Sequence, residues 1–178
     1  KRKPKVELIA KFASRLGVSS EELVFDQLGQ EVSWTLNVAQ VALSSGDLGV
    51  AKDYANRVLE SGGVQSSSSL AASVVLLQVE ARQGAFDGVL DGFELLFNDH
   101  PQAAPDLRAQ LGNEIIRTCF RSGNLGRGVQ RGEEMLREYA TIWPETEVVE
   151  LLCLVGSCHY HRGDTQRASE LVERALEL

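Results

Sequence analysis

Four glycines set the terms for any fold of this chain: Gly46, Gly84, Gly123 and Gly163, spaced 38, 39 and 40 residues apart. Each sits in a short polar break: Ser45-Gly46-Asp47, Gln83-Gly84-Ala85, Ser122-Gly123-Asn124 and Arg162-Gly163-Asp164. On both sides of each break, apolar residues recur every three or four positions over about 14 residues, which is one face of a helix. A recurrence of this length marks stacked helix–turn–helix repeats. The cause is physical. A helix pair of this size cannot bury its apolar stripe alone, so neighbouring pairs must stack. The spacing predicts an all-α chain of antiparallel helix pairs over about 30–62, 69–100, 106–140 and 146–178. Longer loops are expected from Val64 to Ser69, with its four serines, and from His100 to Pro105.

The units resemble tetratricopeptide repeats (TPR). The last, LLCLVGSCHYHRGDTQRASELVERALEL, is the clearest: Val155-Gly156 matches the family's Leu-Gly step, Gly163-Asp164 its turn, and Ala168 and Ala175 its small second-helix residues. The first offers Val38-Ala39, Gly46-Asp47 and Ala51. The second has Leu76-Leu77 and Gly84, places Val89 at the small position and ends on Pro101. The third carries Gly128 and Gly132 in its second helix, which implies either close helix contact or local softness. The resemblance implies an α-α superhelix over 29–178 whose ligands lie against the first helix of each pair. On that concave stripe fall Asn37 and Gln40, Gln78 and Arg82, Asn113, Arg117 and Arg121, and Tyr160 and His161. Side-chain amides can hold a peptide backbone and arginine can fork onto a carboxylate, so a peptide or small-molecule effector is the expected ligand. The last helix leaves an apolar face that expects either further repeats or another chain.

The first 23 residues, KRKPKVELIAKFASRLGVSSEEL, have a different character. A basic turn precedes an amphipathic helix through Val6, Ile9, Phe12, Ala13 and Leu16, which stops at Gly17. Ser19 and Glu22 form a capping box, with Val18 and Leu23 as its hydrophobic staple. This ordered string resembles the last two helices of the XRE family, the helix-turn-helix fold of lambda-type repressors and Cro, with Phe12 where leucine is common. That resemblance makes 1–28 the end of a DNA-binding domain: two short helices that follow the base-reading helix. The chain is then expected to be a fragment. Lys1, Arg2, Lys3 and Lys5 would grip phosphates, a contact that positions a protein without reading sequence.

Charge supports the division. Residues 1–16 carry a net +5, whereas the whole chain is −7, so the remainder holds −12. A basic head on an acidic body is the pattern of a nucleic-acid-facing module attached to something that avoids DNA. No apolar run approaches the ~18 residues of a membrane span, and nothing resembles a signal peptide, so a cytoplasmic protein is expected. Cys119, Cys153 and Cys158 follow neither a disulfide nor a zinc spacing and are expected as free buried thiols. With Cys153, Cys158, His159 and His161 on one short helix only a subset can converge, so no metal site is expected. No HExxH, GxSxG, P-loop or dinucleotide fingerprint occurs, so neither an enzyme nor a cofactor is expected.

The sequence therefore points to a bacterial DNA-binding transcriptional regulator, a homodimer whose TPR-like body senses a peptide or small-molecule effector. The alternative is a TPR adaptor that binds a protein partner without touching DNA.

Overall fold

The computed structural model describes residues 20–61 and 66–178. Regular structure among them is entirely α-helical. The helices are α1 (Ser20–Ser45), α2 (Leu48–Glu60), α3 (Ser66–Arg82), α4 (Phe86–Asp99), α5 (Pro105–Arg121), α6 (Leu125–Tyr139), α7 (Glu145–His161) and α8 (Thr165–Glu177). Among the described residues, no helix is long and apolar enough to cross a membrane.

The chain reverses at the four glycines because they adopt a backbone that other residues avoid. Gly46, Gly84, Gly123 and Gly163 have φ of +85°, +88°, +75° and +89°, where a Cβ would be strained. At three of them the residue after the glycine donates its N–H five residues back: Asp47 to the Ala42 oxygen (2.9 Å), Ala85 to Glu80 (3.2 Å) and Asp164 to His159 (3.0 Å). This Schellman closure satisfies carbonyls that the ending helix leaves free. Asp47 and Asp164 then start the next helix, their carboxylates accepting from the Val50 and Arg167 N–H groups at 3.1 and 3.2 Å. One residue thus ends one helix and begins the next. Proline does the equivalent at α5 and α7: Pro105 opens α5 and Pro144 is the N-cap of α7.

The chain divides into two compact units, Lys1–Ala72 and Ser73–Leu178, with the division inside α3. In the first unit α1 packs on α2. Their buried residues are mainly small: Ala39, Ala42, Ala51 and Ala55, with Val32, Leu43 and Val58. α1 runs unbroken through the 28/29 boundary expected from sequence. The expected cap Ser19, the short helix before it and the basic residues Lys1, Arg2, Lys3 and Lys5 lie outside the described residues.

In the second unit α5 packs on α4, α6 and α7, and α7 also packs on α6 and α8. The core holds Phe93, Leu111, Ile115, Ile116, Met135, Leu151, Leu152 and Leu171. Glycines let these helices approach. A Cβ on Gly132 would collide with the Val155 side chain. One on Gly128 would lie 3.0 Å from Cys158 Sγ and 3.1 Å from Cys119 Cβ. Close contact, not softness, accounts for both glycines, even though each costs helix stability of about 1 kcal/mol relative to alanine.

The joint between α4 and α5 is aromatic. Trp143 stacks on Tyr139 with ring centres 5.1 Å apart, and Phe97 presents its edge to both. The space for Trp143 is left by Gly112, whose Cβ would sit 2.5 Å from the indole. Arg108 lies 4.2 Å over the Phe97 ring and donates to the Phe97 and His100 oxygens at 3.2 and 3.0 Å. A buried guanidinium thus closes the carbonyl end of α4, where the helix dipole favours a cation.

All three cysteines are free. Burial pushes the Cys119 thiol up to about 11 and raises that of Cys158. Cys153 corrects the sequence expectation: it is exposed, off the face of α7 that buries Leu152, Val155 and Cys158.

The glycines of α6 give a paired prediction. A Cβ on Gly126 would meet nothing within 4 Å, so Gly126→Ala should stabilise the protein by about 0.5–1 kcal/mol. Gly132→Ala should destabilise it by about 1–3 kcal/mol through the clash with Val155. Urea unfolding followed by circular dichroism reads both; equal signs would contradict the packing.

Candidate functional site

The residues expected on the ligand-facing stripe fall into separate groups. In the first unit Asn37 and Gln40 are exposed on α1. Asn37 is flanked by Trp34 and Val41, which are 60% and 66% exposed. Beside them lies a groove of about 300 Å³ whose walls include Glu31, Trp34, Tyr54 and Arg57. The Trp34 and Tyr54 rings meet edge to face at 6.2 Å, and the Arg57 guanidinium lies 4.7 Å over Tyr54. This aromatic and cationic group was missed in the sequence, although Trp34, Asn37 and Val41 follow the i, i+3, i+7 spacing of one helix face.

In the second unit Gln78 is half-buried and Arg82 exposed on α3. Asn113 is buried, at 1% exposure. Its amide nitrogen donates across to α7, reaching Glu147 Oε2 at 2.8 Å, the Glu147 backbone oxygen at 3.2 Å and Glu150 Oε2 at 3.3 Å. Its oxygen is buried without a partner. Arg117 is held between Glu114 and Glu150. The structure therefore brings Asn113 and Arg117 together, but onto carboxylates of the next helix pair. Around the single cation of Arg117 stand Glu114, Glu147 and Glu150, so this stretch of α5 and α7 carries a net negative charge. Burial, then the neighbouring Glu150, raises the Glu147 carboxyl above its usual range, against the pull of Asn113 and Arg117.

Arg121 is exposed at the end of α5 and makes no ion pair among the described residues. Next to it, Phe120 meets the His161 ring at 5.1 Å, and His161 meets Tyr160 at 5.6 Å. Tyr160 and His161 are both exposed. Arg121, Tyr160 and His161 are thus the expected residues of this unit with polar groups open to solvent at the C-terminal ends of α5 and α7.

A second network joins the other helices of the pairs. Arg127, the third residue of α6, forks onto Glu94 of α4 at 3.1 and 2.5 Å. Arg167, the third residue of α8, forks onto Glu133 of α6 at 2.9 and 3.0 Å. Glu94 and Glu133 are 39 residues apart and Arg127 and Arg167 are 40, so one contact occurs twice, carried by the repeat. Bidentate geometry makes these pairs stronger than ordinary surface ion pairs. His159, 8% exposed, adds a third helix: Nδ1 lies 3.1 Å from Asp164 and Nε2 3.3 Å from Glu133. Hydrogen bonds from Arg167, and more weakly from His159, hold the Glu133 carboxyl below its usual range.

Among the described residues, no three of His, Cys, Asp and Glu are placed to hold a metal ion. No family model matches the chain, and no curated protein matches it significantly.

Glu133 and Glu147 should respond to acid in opposite directions. Glu133, with its lowered folded-state pKa, stabilises above the ordinary carboxyl value of 4.5 and loses that contribution as pH falls through its lower folded value. Glu133→Gln should therefore cost about 1 kcal/mol at neutral pH, with the gap to wild type closing in acid. Glu147 is penalised when ionised, a penalty present at neutral pH and lost as pH falls from its raised folded value towards 4.5. Glu147→Gln should gain stability at neutral pH and none in acid. Denaturant unfolding at a series of pH values checks both; a neutral-pH loss in Glu147→Gln would refute the burial argument.

Proposed function

We propose that the chain belongs to a DNA-binding transcriptional regulator, with the basic N-terminal segment facing nucleic acid and a TPR-like superhelix serving as the sensing and dimerisation body. The observation that carries this is the split in charge, +5 over residues 1–16 against −12 over the rest. An acidic body is repelled by phosphate, so only the basic segment has reason to meet DNA. In the XRE-like alignment this segment follows the base-reading helix, so Lys1, Arg2, Lys3 and Lys5 grip the backbone and leave bases unread.

The site geometry supports a narrower effector surface than the whole stripe. Asn113 and Arg117 serve as ties between two helix pairs. Asn37 and Gln40 in one unit, and Arg121, Tyr160 and His161 in the other, remain open to a peptide or small polar ligand. An effector at Arg121 and His161 would bear on the ends of α5 and α7 together. Any difference in its affinity between two spacings of those helices would shift the balance between them.

The test is binding of the 178-residue chain to unrelated duplexes across a salt series. Affinity should be weak and independent of sequence. The log–log salt slope should be about −3 to −4 if four cations each neutralise one phosphate. Replacing Lys1, Arg2, Lys3 and Lys5 by alanine should remove that slope. Tight, sequence-selective binding would overturn the phosphate-only role, and no binding at low salt would favour the adaptor.

A further inference from the structure

The groove on α1 and α2 is lined by two opposite charges that do not pair. Glu31 of α1 and Arg57 of α2 both face it, yet among the described residues neither makes an ion pair. Its floor is apolar: Val32 and Val58 are 6% and 1% exposed. Trp34 and Tyr54 supply the aromatic wall.

The hydroxyl groups of the lining are already committed. Thr35 donates to the Glu31 backbone oxygen at 2.6 Å, and Ser61 donates to the Val58 oxygen at 2.7 Å. Arg57 stands three residues after Tyr54 on one face of α2, and its guanidinium lies 4.7 Å over that ring. The ring orders the guanidinium through its face, which leaves the planar edge of N–H donors to find an acceptor. Two charged groups of opposite sign are thus what the groove offers a ligand, beside an apolar and aromatic surface.

We propose that this groove binds a small zwitterion: a free α-amino acid with an aromatic or large aliphatic side chain. Its carboxylate lies on Arg57, its ammonium on Glu31 and its side chain against Trp34 over the Val32 and Val58 floor. A simple anion is drawn by Arg57 and repelled by Glu31, and a simple cation meets the reverse. A ligand carrying both charges satisfies both walls. The interior of a peptide carries neither, because its ammonium and carboxylate groups are spent in amide bonds. Size agrees. A volume of about 300 Å³ stands at the lower end of the range for small-molecule sites, so it suits a single residue. The ligand's role as an effector rests on the sensing body proposed for this chain, whereas its binding does not.

The two tryptophans allow a site-specific test. Trp34 lines the groove, and Trp143, 6% exposed, is enclosed in the other unit. In a proton–nitrogen correlation spectrum of the 178-residue chain, millimolar L-phenylalanine should shift the Trp34 indole N–H saturably and leave that of Trp143 in place. Trp34→Phe assigns the two resonances. Phenethylamine, which lacks the carboxylate, and 3-phenylpropionate, which lacks the ammonium, should each bind about tenfold more weakly. Arg57→Gln should weaken phenylalanine about tenfold without weakening phenethylamine. Glu31→Gln should weaken phenylalanine without weakening 3-phenylpropionate. Both side chains are exposed, so helical circular dichroism should be unaltered in either variant.

Failure of L-phenylalanine, L-tryptophan and L-leucine alike to move the Trp34 signal would overturn the proposal, leaving the sensing role to the Arg121 and His161 end. So would an Arg57→Gln variant that loses phenethylamine as much as phenylalanine, since the guanidinium would then act through Tyr54 and not on the carboxylate. Saturable, charge-dependent binding that leaves DNA affinity unchanged would establish the site and count against the sensing role alone.

Discussion

A chain reversal within two or three residues is the constraint on which every helix pair here depends. A gradual loop would let the two helices diverge. The left-handed glycine, closed at three of the four turns by a backbone bond from the following residue, returns the chain at once and fixes which faces meet. Within the second unit the reversal recurs at nearly constant spacing, so successive pairs there meet in nearly the same register. Small residues then become a necessity. Gly128 and Gly132 stand where α6 meets α7, and Ala168 occupies the position of Gly128 one repeat later.

Electrostatics follows the same register and divides by side. Along α4, α6 and α8 the contact is an arginine fork onto a glutamate one pair earlier, made once by Arg127 and once by Arg167. Between α5 and α7 the arrangement is more costly. A buried amide, three carboxylates and one guanidinium share a small volume, the amide oxygen is left without a partner, and burial disfavours the charge on Glu147. The first set strengthens the stack with little desolvation, whereas the second stores unfavourable charge at the joint. A joint of that kind is easier to shift than one held by apolar contact alone.

The turns were legible in the sequence because a polar break with glycine needs no tertiary context to be recognised. The side on which a polar residue lies was not. Asn113 and Arg117 occupy positions read as ligand-facing, and their spacing is equally compatible with the next helix. What decides is the approach of α7, which brings Glu147 and Glu150 within reach. The repeated fork was visible in principle, since Glu94, Arg127, Glu133 and Arg167 can be aligned on the turn glycines. It becomes meaningful only once the glycines are known to be equivalent in three dimensions. Gly132 was ambiguous for the same reason: a helical glycine looks alike whether it permits contact or merely loosens the chain, until Val155 is seen against it.

The three thiols give this protein a built-in record of its own breathing. Cys153 faces solvent, whereas Cys119 and Cys158 are enclosed at the Gly128 crossing and held protonated by burial. A thiol-specific reagent should count one sulfur in the closed molecule and reach the others only when α6 lifts from α5 and α7. The labelling rate of the slow pair would then measure the opening of that single joint, separately from global unfolding.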